Sequence, residues 1–248
     1  MTRLVERGIR YLEAFWRMRR LRTIARPRWS REEVTEAAFT FAHRFIQPMQ
    51  VRSEITACLE RVETLGPRCV VEIGTAAGGT LLLWSRVAAP DAVIISIDLP
   101  GGPFGGGYSV WRKPVYKRLV RPSQTLHLLR MDSHREDTLR KVKELLDGRP
   151  CDFLFIDADH TYEGVRQDFR TYSALVRPGG VIALHDIVPD TRHPACGVDR
   201  FWSEVKGDAA YRWEEYVEDW SQSWAGIGIL EAPARAAIPD TRGREGLN

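Results

Sequence analysis

Long apolar runs are missing from this sequence: nowhere do the ~18 to 20 consecutive apolar residues of a membrane-spanning helix occur. Cysteine is scarce too. The four present (Cys58, Cys69, Cys151 and Cys196) stand far apart with no Cys-x-x-Cys pair, a spacing that argues against a zinc cluster and a disulfide framework. They read as small buried hydrophobes. No apolar stretch with a small-residue cleavage site follows the first arginines, so no secretory signal is visible and a cytoplasmic location is the expectation. Internal repeats are absent, and the formal net charge is only +3.

What charge there is lies unevenly. Nine arginines fall between positions 3 and 28, interleaved with Leu4, Ile9, Leu12, Phe15 and Trp16 at roughly helical spacing, which predicts an amphipathic helix. Such a helix packs on its own domain or on a partner subunit, with a membrane surface or a polyanion as the alternative. A homodimer is expected. The 248 residues, 44% hydrophobic and 28% charged, suit one soluble α/β domain with an appended segment. We divide the chain into a helical segment at 1–65, serving dimerisation or as a lid, a core domain at 66–231 and a disordered tail at 232–248 rich in Ala, Pro, Arg and Gly.

From Cys69 onward, short β-branched runs alternate with helical patterns, the signature of βαβ units and a parallel sheet. Strands are predicted at 69–73, 93–97, 125–129, 152–156 and 181–184, near-continuously apolar as strands covered on both faces are. Helices are expected around 31–45, 51–65, 80–88, 112–120, 135–146, 162–176 and 200–205. Pro178-Gly179-Gly180 reads as the breaker that returns the chain to the sheet. Two further strands, 211–217 and 225–230, would form an antiparallel hairpin at one edge.

The first strand runs straight into Gly74-Thr75-Ala76-Ala77-Gly78-Gly79, a small-residue turn feeding a helix. In an open parallel sheet ligands bind at the carboxyl ends of the strands, where this turn must sit. A dinucleotide fingerprint would place glycine at position 76, where backbone approaches a pyrophosphate; Ala76 stands there, which disfavours an NAD-dependent oxidoreductase. The turn remains open enough for a nucleoside. Asp98 ends the second strand, where a carboxylate can accept both ribose hydroxyls, and Asp132 with Ser133 follows the third, placed to meet an adenine. Singly these signals are weak, because acidic residues at strand ends also cap helices.

Together they match a family. VVEIGTAAGGT resembles the first motif of the class I S-adenosylmethionine (SAM) dependent methyltransferases, IISID the second, DFLFID the fourth, and RPGGVIALHD the segment through the fifth strand. The resemblance covers about 69–230 and implies a Rossmann-like, doubly wound seven-stranded sheet with an antiparallel last strand. It also implies that Glu72, Gly74, Thr75 and Gly78 line the methionine end of SAM, Asp98 the ribose, and Asp132 with Ser133 the adenine.

Strand four delivers Asp157-Ala158-Asp159-His160, and strand five His185-Asp186, so two polar clusters meet at one edge of the sheet. Methyl transfer from a sulfonium requires an oriented acceptor and, for a hydroxyl, removal of its proton. A divalent cation held by carboxylates serves both ends, and Asp157 with Asp186 supplies the pair. This end of the chain resembles metal-dependent O-methyltransferases of small molecules and sugars, including macrolide-sugar enzymes and a cephalosporin-hydroxylase-like group. The resemblance implies Mg²⁺ or another divalent cation on Asp157 and Asp186, with His185 departing from the acidic residue usual at its position. His160 is the expected base, because a histidine needs little adjustment to be unprotonated near neutral pH; Asp159 is the alternative, or orients it or touches the metal. The remaining histidines, His43, His127, His134 and His193, read as structural or surface residues.

The glycine-rich stretch 99–108 reads as a lid that brings Trp111, Arg112, Lys113 and Tyr116 to an acceptor. The expected function is O-methylation of a saccharide or hydroxylated small molecule with neighbouring hydroxyls. A nucleic-acid partner is not expected, for the Asn/Asp-Pro-Pro-aromatic element is lacking; a non-catalytic SAM-binding partner subunit is the other alternative.

Overall fold

The computed structural model describes residues 29–40, 46–102, 104 and 106–233. The arginine-rich helix expected within 1–28 and the tail from 234 onward lie outside them. Among the described residues no helix is long and apolar enough to cross a membrane.

The apolar runs form β1 (Cys69–Ile73), β2 (Val93–Ile97), β3 (Thr125–Leu129), β4 (Cys151–Ile156) and β5 (Val176–His185), all parallel, followed by β6 (Arg212–Tyr216) and β7 (Ile227–Glu231). They build one seven-stranded sheet in the order β3-β2-β1-β4-β5-β7-β6. β7 runs antiparallel to both its neighbours, so the doubly wound sheet with an antiparallel last strand is as expected.

Alternation along the strands decides which helix each residue meets. Val70, Ile94, Phe153, Phe155 and Val181 face α1 (Arg31–Thr40), α2 (Arg52–Leu65) and α3 (Gly79–Val87), where Trp84 packs edge-on against Phe153 with ring centroids 4.8 Å apart. The short α4 (Lys113–Tyr116) closes the same layer with the fully buried Tyr116. Val71, Ile95, Leu154 and Ile182 face α5 (Glu136–Leu146), α6 (Tyr162–Tyr172) and α7 (Val198–Val205). In β7, Gly228 leaves room for Trp202, whose ring would lie 2.6 Å from a Cβ there.

Three local expectations change. The helix expected over 162–176 ends at Tyr172, tightens into a 3-10 turn at Ser173–Leu175, and passes directly into β5. Pro178-Gly179-Gly180 therefore lies inside the strand, not before it. The pairing jumps from Cys151↔Val176 to Phe153↔Val181, so the breaker residues are the surplus of a bulge, which Gly179 accommodates at φ +69°. The helix expected over 112–120 is reduced to a 3-10 turn at Val110–Arg112 followed by α4. Finally, α1 and α2 are continuous with the core of the sheet: the described part of 1–65 is one layer of the same body.

That layer is pinned by close backbone approach. A Cβ on Gly79, at the start of α3, would collide with the backbone of Gln47 and Pro48, whereas Gly148 has a left-handed φ of +73° and open space around it. The two glycines separate steric from conformational cost. Gly148→Ala is expected to lose about 1 kcal/mol in urea unfolding, the cost of a left-handed alanine, and Gly79→Ala more than about 3 kcal/mol, because backbone cannot yield as a side chain does. Equal losses would show that the 46–50 segment does not bear on α3 as described.

Candidate active site

Past the strands, the ladder is extended by one residue. Gly74 N–H donates to Ile97 O (2.8 Å), Asp98 N–H to Leu129 O (2.9 Å), and Asp157 N–H to Ile73 O (2.8 Å). These bonds set Gly74, Asp98 and Asp157 side by side at the carboxyl edge, where the strand order reverses between β1 and β4 and ligands of such sheets bind. A cavity of about 790 Å³ opens there, within the range of small-molecule sites. Only glycine fits at position 74: its φ is +102°, and a Cβ would collide with the Asp157 carbonyl.

Of the residues expected at the cofactor, Gly74, Asp98, Asp132 and Ser133 line this cavity. Asp98 accepts from the backbone N–H of Ala76 (2.7 Å) and of Gly107 (2.8 Å), so each oxygen keeps a second lone pair for a ligand hydroxyl. Burial raises its pKa against the lowering effect of those hydrogen bonds. Asp132 accepts from His134 N–H at 2.9 Å, and the Ser133 carbonyl is held by the Tyr172 hydroxyl at 2.8 Å.

Glu72, Thr75 and Gly78 lie behind that surface. Glu72 is wholly buried and accepts from Thr80 Oγ1 (2.5 Å) and Ser96 Oγ (2.7 Å); burial pushes its pKa up to about 7, although both hydrogen bonds lower it. Thr75 shares a hydrogen bond with Ser96 and, like Gly74, borders a small side cavity toward Gln50. Gly78 packs under the Tyr116 ring, and the Tyr116 hydroxyl donates to the Ala76 carbonyl at 2.7 Å. Tyr116 therefore braces the cofactor turn from inside the core; it does not reach an acceptor from a lid. Trp111 is exposed and does not line the cavity; Phe104, from the glycine-rich stretch, does, stacking on His160 at 4.9 Å.

The polar cluster does assemble. His185 Nδ1 lies 3.2 Å from Asp157 Oδ1 and 3.3 Å from Asp186 Oδ1, and His160 Nδ1 lies 2.9 Å from Asp186 Oδ2. Asp157, His185 and Asp186 each offer a ligand atom, all within 4.8 Å of one another. Two carboxylates and an imidazole, with a cavity for water and acceptor in front of them, fit a divalent cation. Asp186 adopts a left-handed φ of +62°, a conformation Asp tolerates better than most residues.

Within the cluster, charge is balanced by the two imidazoles. Burial acts to lower the His160 pKa, but hydrogen bonds and charge from Asp157 and Asp186 outweigh it and raise it to about 10. His185 is raised likewise, its burial outweighed by Asp186 and Asp157. The carboxyl groups of Asp157 and Asp186 move down, because the same pairs outweigh their burial. This corrects the expectation of an unprotonated His160: between two unshared carboxylates it is an imidazolium at neutral pH. Among the described residues Asp159 makes no hydrogen bond to a histidine. Its Oδ1 accepts from the Thr161 N–H (2.9 Å) and Thr161 Oγ1 (2.7 Å), bracing the residue that caps α6.

Several site residues escaped sequence reasoning. Gln50, buried ahead of α2, donates from Nε2 to Asp157 Oδ2 at 2.7 Å. Glu54 is buried too, and accepts from Gly226 N–H (2.9 Å), Gln222 Nε2 (2.7 Å) and Glu218 N–H (3.1 Å). It thereby holds the loop whose Ala225 N–H donates to Asp186 at 3.2 Å. From that loop Trp224 joins the cavity wall with Arg192 stacked on it at 4.6 Å. His134 and His193, read as structural or surface, also line the cavity. Cys196 is half-buried, unlike the other three cysteines, and lies beside His160 and Asp186.

Residues 71–187 match the family described as Methyltransferase domain. The fold resembles the O-methyltransferase TomG of Streptomyces achromogenes, solved with SAM (TM-score 0.54, 18% identity, 80% of this chain and 89% of that one). It also resembles an O-methyltransferase of Bacillus cereus solved with SAH (0.53, 18%, 81% and 90%). MycE of the mycinamycin pathway, solved with Mg and SAH, is a further structural relative (0.53, 16%), of which this chain covers 56%. At these identities the likeness is one of fold. The uncharacterised protein y4gI of Sinorhizobium fredii is 26% identical over 147 residues, and this chain spans 16% of its length. Residues 71–187 thus match a methyltransferase domain, and the sheet has the fold of these O-methyltransferase structures.

The charge balance has a pH signature. A free imidazole titrates near about 6.5, and His160 in the folded protein at about 10. Its contribution to stability is therefore complete below about pH 6.5 and is lost as the pH rises through about 10. In chelator, His160→Ala is expected to melt well below wild type at pH 6, with the gap narrowing steadily toward pH 10. A gap independent of pH would refute the paired imidazolium.

Proposed function

We propose that this protein transfers the methyl group of SAM to a hydroxyl oxygen of a saccharide or other polyhydroxylated small molecule, with a divalent cation held by Asp157, His185 and Asp186. The observation that carries the reading is the meeting of Asp157, His160, His185 and Asp186 in the same cavity as the ribose-side carboxylate Asp98. A divalent cation there, Mg²⁺ or another, would supply charge to lower the pKa of an acceptor hydroxyl and fix two neighbouring oxygens.

The chain's own groups divide the remaining work. Asp98 holds the ribose hydroxyls; Asp132 and Ser133 border the adenine. Gln50 and the Ala225 N–H keep Asp157 and Asp186 aimed into the cavity. His160 takes the acceptor's proton, its orientation set by Phe104 on one face and Asp186 at Nδ1. The charge that keeps it protonated belongs to carboxylates not shared with a cation, so ligation frees it for the task. Phe104 and Trp224 offer ring faces to the apolar side of a sugar, and Asp190, Arg192 and His193 bring polar groups to the same wall.

Transfer of a labelled methyl group from SAM to a panel of saccharides, glycosides and catechols tests this directly. Turnover is expected with vicinal diols, is abolished by chelator, and is blocked when either hydroxyl of the pair is masked. Full activity in excess EDTA would remove the cation from the reaction. Asp186→Asn keeps a side chain suited to the left-handed backbone, so it is expected to lose turnover while SAM binding survives. Asp98→Ala is expected to weaken SAM binding by about 1.5 to 3 kcal/mol, as for hydrogen bonds to a charged group. Calorimetry showing unchanged affinity would displace Asp98 from the ribose.

A further inference from the structure

We propose that Cys196, His160 and Asp186 form a second cation site, distinct in chemistry from the first and selective for a thiophilic ion such as Zn²⁺. Each of the three offers one ligand atom, and these atoms all lie within 4.8 Å of one another. Asp186 belongs to both sets, with Oδ2 2.9 Å from His160 Nδ1.

Cys196 is brought there by a built contact. The loop between β5 and α7 docks on the chain after β4 through the Gly197 N–H, which donates to the His160 carbonyl at 2.8 Å. Gly197 has no room for a side chain, since a Cβ would lie 2.8 Å from Tyr162 Cβ and from Tyr162 N. The Cys196 N–H is in turn tied to the His193 carbonyl at 2.8 Å. The sulfur faces the Val198 N–H at the start of α7, but burial outweighs that contact and pushes the thiol up to about 11, so it is an arriving cation that displaces the proton. Cys58, Cys69 and Cys151 are buried in the core, so Cys196 is the thiol that a metal ion in solution meets.

The donor set decides the ion. Mg²⁺ takes oxygen ligands; a thiolate, an imidazole and a carboxylate suit Zn²⁺, which binds three protein side chains and leaves a fourth position open. Binding displaces the thiol proton and any proton on His160 to solvent, with no change of oxidation state. A filled site holds His160 as a ligand, so it cannot take the acceptor's proton. That inhibitory consequence rests on the function proposed above; the site itself does not.

Co²⁺ reports the site without any acceptor, because a cobalt–thiolate bond gives a near-ultraviolet charge-transfer band. The full chain is titrated with Co²⁺ in oxygen-free buffer containing Mg²⁺. The expected result is a band saturating at about one equivalent, erased by stoichiometric Zn²⁺ and absent from Cys196→Ser. No band, or a band that survives in Cys196→Ser, overturns the proposal. Should that variant fail to match the wild-type melting curve, alkylation of Cys196 in the folded wild type, confirmed by mass, replaces it with the same two outcomes. In the methyl-transfer assay, Cys196→Ser is expected to keep its turnover with Mg²⁺ and to need about tenfold or more Zn²⁺ for half-inhibition; equal sensitivity to Zn²⁺ overturns the inhibitory role. Failure of every acceptor would count against the proposed function while leaving the cobalt result to decide the site.

Discussion

The carbonyl of Asp157 occupies the space where a side chain on residue 74 would stand. That approach brings the loop after β4 against the turn after β1, and the rest of the site follows from it. The turn carries Ala76, whose N–H fixes Asp98; the loop carries Asp157, Asp159 and His160. Parallel pairing of β1 with β2 and β4 keeps their ends level, so Asp98, Asp157 and His160 line one cavity. A Cβ at position 74 would separate the two halves of the chemistry.

Burial of two carboxylates is costly unless each is paired and hydrogen-bonded. Asp157 and Asp186 meet that demand with His160, His185, Gln50 and the Ala225 N–H. The same donors that stabilise the cluster without a cation are those that the proposed cation would displace or orient. Support comes from far outside. Glu54, on α2, holds the loop between β6 and β7 through three hydrogen bonds, and that loop supplies a donor to Asp186 and a ring to the wall. The α1–α2 layer thus belongs to the site's scaffold as well as to the core.

Much of this was legible in the chain. β1 and β2 fall on the predicted residues because a doubly covered parallel strand needs a short, near-continuous apolar run, and such runs are local; the half-buried edge strand β3 keeps enough of that pattern to be found as well. Asp98, Asp157 and Asp186 were found because a residue directly after a parallel strand must lie at the carboxyl edge, whatever else the fold does. The reading failed where two local rules competed. Pro178-Gly179-Gly180 is a helix breaker by composition, yet the strand absorbs it as a bulge, a choice made by pairing with β4 and invisible in the segment itself.

Sequence alone therefore determined the order of strands, the small-residue turn and the acidic residues that end the strands, because each depends on period and position within a few residues. Only the tertiary structure decided which groups surround those acids. Gln50 meets Asp157 across 107 residues, and Glu54 meets Gly226 across 172. Neither has a local signal, since a buried polar side chain declares its role only through its partner. The charge of His160 is of the same kind: one neighbouring carboxylate is three residues away and the other comes from β5, so the ionisation of that imidazole is a property of the assembled edge.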